Sequence, residues 1–390
     1  AAGRSRRGVG WTGARLALVS ETLRQTLGAF DATLPLERAR TIPGRWYWDP
    51  EVAAAERRAV FGSTWQLVAR ADQLTAAGSF VTADVAGEPV VVVRGDDGVL
   101  RAFFNVCRHR AARVVTEPEG IASRLRCRYH GWTYDLAGRL RGTPEFDGVA
   151  DFRREDHGLA PLAVGAWGPL VFVSAARAPL PLTACLAPLP AKMGALEGLR
   201  FAARREYALG CNWKVFVDNY LDGGYHVSTV HPLLAGVLDY PRYRTDCFEW
   251  TSLQASPMRA PDPQRQDASA AEVRKGEQAL YGWAFPNTMV NLYEGVMDTN
   301  VVLPDGADRC RVLIDFYFSP GEGDAARRFS EESMAVGHRI QLEDVGVCED
   351  VQRGLSSRTY DSGRFSVRRE AGVYQFHRLL AHHLLAPPQD

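Results

Sequence analysis

FNVCRHRA (residues 104–111) and CRYHGWTYDLAGRL (127–140) decide how this 390-residue chain is read. Together they spell C-x-H…C-x-x-H, with Cys107 and His109 in one short loop and Cys127 and His130 in the next. One Cys/His pair per loop suits a Rieske [2Fe–2S] cluster. There one iron takes both cysteines and the other both histidines, which raises the reduction potential above that of an all-cysteine cluster. The competing reading is a structural Cys₂His₂ zinc site, but zinc sites usually open with C-x₂₋₄-C. The chain is therefore expected to move electrons one at a time.

The surroundings of these loops read as β structure. Pro89–Arg94 is a β-branched run, Asp96-Asp97-Gly98 a turn and Val99–Asn105 the returning strand. Trp132–Asp135 and Arg139–Leu140 form a second hairpin about Ala137-Gly138, and Leu170–Ser174 adds an apolar strand. Residues 51–61 read as a short helix. Pro179, Pro181, Pro188 and Pro190 mark a boundary. The division expected is a tail and lead-in over 1–45, an all-β domain over 46–175 and an α+β domain over 176–390. In the last, helical patterns at 211–222 and 327–355 bracket strand-like runs at 248–255, 287–293 and 309–318.

Composition excludes several classes. Lys+Arg and Asp+Glu stand at 46 each, so no global field recruits nucleic acid or an anionic membrane. No apolar run is long enough to span a bilayer, and a soluble intracellular protein is expected. Seven cysteines are too few and too scattered for a disulfide scaffold. Cys185, Cys211, Cys247, Cys310 and Cys348 are expected as small buried hydrophobes in a reducing compartment. Arg4, Arg6, Arg7 and Arg15, with no acid before Glu21, fit either the end of an organelle transit peptide or a flexible basic tail.

A second constellation lies in CNWKVFVDNYLDGGYHVSTVHP (211–232). Trp213, Phe216, Val217, Tyr220 and Leu221 share one helical face, while Lys214, Asp218 and Asp222 share another. His226 and His231, at i and i+5, point about 140° apart on a regular helix. They converge only if the backbone bends, which Gly223-Gly224 and Pro232 permit. Taken alone, such a pair is ordinary. Downstream, Ile340, Asp344, Val347, Cys348, Val351 and Leu355 form a helical stripe with Asp344 at its middle. A carboxylate on an apolar face costs several kcal/mol unless it is neutralised, by an arginine or by a metal. Two histidines and one carboxylate make the facial triad of a non-haem iron(II) oxygenase. The triad and the electron-carrying cluster each make the other more credible.

On these motifs, together with AWGPLVF (166–172), MDTN (297–300) and EDVGVCEDVQRGL (343–355), the chain resembles the Rieske-type ring-hydroxylating oxygenase α subunits from about residue 22 to 385. Within them it is most similar to the choline monooxygenase branch. The resemblance implies a catalytic domain of antiparallel sheet flanked by helices (helix-grip, START-like). It implies a [2Fe–2S] cluster on Cys107, His109, Cys127 and His130 and a mononuclear Fe(II) on His226, His231 and Asp344. Asp222 would be the acid bridging a cluster histidine to an iron histidine, with Asp218 as the alternative, and Asn219 would lie near the iron. O₂ would be a substrate, ferredoxin and ferredoxin reductase the electron donors, and a head-to-tail homotrimer the assembly. The compartment implied is the chloroplast stroma in a photosynthetic eukaryote and the cytoplasm otherwise.

The implied reaction is choline to betaine aldehyde hydrate, the first step of glycine betaine synthesis. N-demethylation of glycine betaine or a related quaternary ammonium compound is the alternative, and dihydroxylation of an aromatic acid a further one. The sequence carries no flavin or nicotinamide fingerprint, so electrons come from another protein; Arg108 and Arg110 are candidates to attract it. Trp283, Phe285 and Tyr293 are candidates to bind a quaternary ammonium through their faces, and equally fit an ordinary core. Val296 stands where plant relatives tend to carry tryptophan, and Glu294 replaces a small residue; if that tryptophan belongs to a cation cage, its absence favours the alternative substrates.

Overall fold

The computed structural model describes residues 21–259 and 269–386, so the basic stretch with Arg4, Arg6, Arg7 and Arg15 lies outside the described residues. The N-terminal half is built on β1 (Trp65–Arg70), β2 (Ser79–Val85), β3 (Glu88–Arg94), β4 (Leu100–Phe104), β5 (Glu119–Ile121), β6 (Leu125–Arg126), β7 (Thr133–Tyr134), β8 (Leu140–Gly142), β9 (Pro161–Trp167) and β10 (Leu170–Ser174). Seven of them form an antiparallel sheet in the order β1-β10-β9-β4-β3-β2-β5, and β6-β7-β8 form a small one. Val90 to Val93 are fully buried, which is why β3 is an unbroken apolar run rather than an alternating one. Between the two sheets Phe80, Val91, Val93, Phe103, Trp132 and Tyr134 share one core with Cys107 and Cys127.

Ahead of this sheet, helix α1 (Glu21–Gly28) is followed by α2 (Pro50–Glu56), which widens into one π turn over Arg57–Phe61. The proline-rich stretch folds into α3 (Leu182–Leu186) and α4 (Leu189–Met193), which pack between the sheets. Met193 Sδ would stand 2.6 Å from a Cβ at Gly282, so that strand position admits only glycine without a shift.

The C-terminal sheet comprises β11 (Arg200–Leu209), β12 (Arg244–Cys247), β13 (Thr251–Pro257), β14 (Gln278–Ala284), β15 (Thr288–Tyr293), β16 (Val296–Pro304) and β17 (Cys310–Phe318), all antiparallel, in the order β11-β17-β16-β15-β14-β13-β12. Helices α5 (Trp213–Leu221), α6 (Val227–Val230), α7 (Pro232–Val237), α8 (Ser269–Val273), α9 (Gly323–Leu355) and α10 (Ala371–Leu385) complete it. Asn212 caps α5 by accepting from Lys214 N at 3.0 Å. Lys214 is fully buried and offset by Glu56 at 2.7 Å, a pair that costs more to break than to keep.

Two expectations are corrected here. Val351 is 44 % exposed; the buried stripe of α9 runs instead through Gln341, Cys348, Gln352 and Leu355. Gln352 is buried because its amide accepts from Asn212 N and donates to Tyr47 O, which no aliphatic side chain would do. Cys247 is exposed, and Cys185 only partly buried; Cys211, Cys310 and Cys348 are buried as expected.

His383 of α10 stacks on Phe285 at 5.0 Å, and burial, with His382 beside it, holds its imidazole down at about 4. The unfolded chain therefore takes up this proton more readily as pH falls below about 6.5, and the stability lost by pH 5 is about 2 kcal/mol. His383→Phe is expected to flatten the fall in Tm between pH 7 and 5.

Candidate metal centres and the adjoining cavity

The two cluster loops are built alike. In the first, Cys107 N donates to Ala112 O and Ala111 N returns to Cys107 O; in the second, Cys127 N donates to Trp132 O and Gly131 N to Cys127 O. Each closes on a left-handed residue, Ala111 at φ +60 and Gly131 at φ +73, which turns the chain tightly enough to bring two side chains to one point. Tyr134 accepts from Arg108 N at 3.0 Å and stands 3.5 Å from Cys107 Sγ, tying the loops together. His109 stacks flat on Trp132 at 4.9 Å, and the His109 and His130 rings are 4.6 Å apart. Burial pushes the Cys127 thiol up, with Cys107 beside it adding to the effect. His109 Nδ1 is buried without a hydrogen-bond partner. An orphaned imidazole nitrogen, with a second imidazole close by and two buried thiols in the same core, fits a [2Fe–2S] cluster. His130 and Arg108 are exposed, so an electron donor has access.

In the second constellation the chain bends where the glycines allow. Gly223 and Gly224 take φ +70 and +72, α6 is a single turn, and His226 and His231 flank it. Their rings come within 4.9 Å. His226 Nδ1 donates to Asp222 Oδ2 at 2.6 Å and His231 Nδ1 to Glu343 Oε2 at 2.7 Å. A carboxylate only accepts, so each Nδ1 carries a proton; both Nε2 atoms are turned towards Asp344, and His231 Nε2 lies within hydrogen-bond distance of its Oδ1, where a metal would take the proton's place. Asp344 Oδ1 lies 3.0 Å from His231 Nε2, 3.8 Å from that of His226 and 2.7 Å from Asn219 Nδ2. Ligand atoms of His226, His231 and Asp344 all lie within 4.8 Å of one another. Two imidazoles held by second carboxylates and one carboxylate oxygen form a donor set that fits ferrous iron with positions left open. Sequence reading missed Glu343, although it adjoins Asp344.

Asp218, the alternative to Asp222, is engaged elsewhere: Tyr47 OH donates to it at 2.5 Å and His377 Nε2 at 3.0 Å. It joins α5 to α10 and the lead-in, away from the metal histidines. A Cβ at Gly223 would run into the carbonyl oxygen of Arg369. Gly223→Ala is expected to cost at least about 2 kcal/mol and to weaken iron binding, as urea denaturation and metal titration would show.

A cavity of about 120 Å³ opens beside this site. Its floor is a cross-strand row, Tyr281–Asn291–Asp298–Phe316, running over β14, β15, β16 and β17. Tyr220, Tyr243 and Tyr293 add further aromatic wall; Tyr281 and Tyr293 join their hydroxyls at 2.8 Å, and Tyr243 and Tyr281 stack at 6.2 Å. Of the expected aromatics, Tyr293 lines the cavity. Trp283 and Phe285 do not: Trp283 stands one row along the same sheet face, packed on Phe376 at 5.6 Å, and Phe285 lies beyond the strand end. Val296 is buried in the core and does not line the cavity, although it pairs with Tyr293, which does. Among the described residues, no helix is long and apolar enough to cross a membrane.

Residues 64–153 match the Rieske [2Fe-2S] domain family and residues 196–386 the ring hydroxylating alpha subunit (catalytic domain) family. The chain is 38% identical over 374 residues to the chloroplastic choline monooxygenase of Arabidopsis thaliana, covering 91% of this chain and 85% of that one. It is 32% identical to the carnitine monooxygenase oxygenase subunit of Escherichia coli (strain K12), covering 88% and 94%. A solved quaternary ammonium Rieske monooxygenase, described for carnitine oxidation and inter-subunit electron transfer, superposes with a TM-score of 0.79 at 28% identity over 90% of this chain and 98% of that one.

Proposed function

Because the chain belongs to the Rieske-type ring-hydroxylating oxygenase α subunits, and so is an oxidoreductase, we propose that its substrate is a small quaternary ammonium compound. The tyrosine-lined cavity beside the triad carries this reading. A quaternary ammonium has no N–H to donate, so it is held by aromatic faces and a nearby negative charge, each face contributing about 0.5–2 kcal/mol. Tyr220, Tyr243 and Tyr281 supply faces, and buried Asp298 supplies the charge. An aromatic acid lacks the cation this wall complements.

When bound, the cluster supplies single electrons and the ferrous iron supplies O₂ reduction and insertion of one oxygen atom into an aliphatic C–H bond. The chain's own residues set that up. Asp222 and Glu343 fix the tautomers of His226 and His231, and Asn219 orients Asp344 by donating to it. Leu234, Leu238 and Ile340 give the cavity apolar walls. Choline, O₂, two electrons and two protons would give betaine aldehyde hydrate and water; with a betaine, hydroxylation of an N-methyl carbon would release formaldehyde. Electrons would come from a ferredoxin and its reductase at the surface around Arg108 and Arg110, and a homotrimer would bring one subunit's cluster to the next subunit's iron.

The test is a single turnover. Iron-loaded, chemically reduced protein is given O₂ with choline, glycine betaine, carnitine or benzoate, and products are identified by mass spectrometry. Oxidation of a quaternary ammonium compound and not of benzoate is expected; product from benzoate alone would sink the proposal.

A further inference from the structure

Resting on the quaternary-ammonium reading, we infer that the substrate is a zwitterion and that Arg274 holds its carboxylate. Arg274 follows α8 and lines the cavity, yet is 3 % exposed. One Nη donates to Ser333 Oγ of α9 at 2.5 Å, and the guanidinium lies 4.9 Å over the Tyr293 ring. Its Nε is buried without an acceptor, and no carboxylate among the described residues lies within ion-pairing distance of it. Gly337 of α9 leaves room beside the other Nη, which a Cβ there would approach to 3.6 Å.

Asp298 lines the same cavity, 7 % exposed, with Asn291 Nδ2 donating to it at 2.7 Å. The wall thus carries one buried cation and one buried anion that feel each other's charge but form no direct ion pair. A buried charge without a partner is costly, and a planar guanidinium with free N–H groups is matched best by a carboxylate. Two opposite charges not in direct contact complement a ligand with both: its ammonium among the tyrosines near Asp298, its carboxylate on Arg274. Choline would satisfy Asp298 and leave Arg274 facing another cation.

The test compares binding to iron-loaded, anaerobic protein by calorimetry, using choline, trimethylglycine and 4-trimethylammoniobutanoate. The wild type is expected to bind a carboxylated ligand at least about tenfold more tightly than choline. Arg274→Gln should lose at least about tenfold for that ligand and nothing for choline, and Arg274→Lys should recover part of the loss. Choline binding as tightly as both carboxylated ligands would overturn the inference. So would Arg274→Gln weakening all three equally, the mark of a structural role. Should Arg274→Gln not fold, the wild-type preference and Arg274→Lys decide. Folded, iron-loaded protein that binds none of the three would sink the quaternary-ammonium reading itself.

Discussion

Asp344→Ala is expected to keep the visible spectrum of the cluster, to lose ferrous iron from the second site and to reduce product formation at least about a thousandfold. Asp344 is the one anionic donor of the triad, and both histidine Nε2 atoms face its Oδ1. Two neutral imidazoles alone bind a hard divalent ion weakly. The apo fold should survive, because the loss of the hydrogen bonds to Asn219 and His231 is offset in part by removal of the carboxylate's desolvation cost. Thermal shift separates the two effects. Iron added to wild type raises Tm by mass action, since it binds only the folded chain, and the variant should show no such rise. Retained iron with unchanged turnover would place the metal elsewhere.

What the sequence reveals depends on how far apart the partners stand along the chain. The cluster loops are legible because each holds its ligands within a few residues, and the loop geometry follows from a turn that local hydrogen bonds close. The histidine pair is legible through Gly223 and Gly224, whose positive φ makes a bend that side chains rarely tolerate. Asp344 emerges from the pattern of α9, although the pattern misplaced Val351: polar Gln352 takes an inner position by serving backbone groups and polar Gln341 by lining the cavity, which a hydrophobic stripe does not show. Asp218 and Asp222 look equivalent one turn apart on α5. The structure separates them through Tyr47 and His377, which lie far away in sequence. The cavity is least legible. Its floor depends on the register of four strands, and Trp283 sits on the right face one row out of place. β11 also escapes, because an edge strand rich in arginine lacks the apolar signature of β3.

For Asp222→Asn, both metal centres are expected to load while reoxidation of the reduced cluster by O₂ and substrate slows about ten- to a hundredfold. The carboxylate accepts three hydrogen bonds: Tyr225 N on Oδ1, and His226 N and His226 Nδ1 on Oδ2, at 3.0, 3.0 and 2.6 Å. An amide has one oxygen and one NH₂. If the oxygen faces His226, the NH₂ meets the N–H of Tyr225; if it turns round, the NH₂ meets both donors of His226. Either way a donor faces a donor, at about 1–3 kcal/mol, and the imidazole loses the negative charge that holds its proton on Nδ1. If, as proposed, electrons arrive from the cluster of a neighbouring subunit, the edge of His226 bearing Asp222 is where they enter, since its Nε2 is turned inward to Asp344. Stopped-flow of pre-reduced protein reads this directly, and iron content measured on the same sample keeps it apart from metal loss. Cluster reoxidation at the wild-type rate in iron-replete Asp222→Asn protein would reduce Asp222 to a residue that only positions His226.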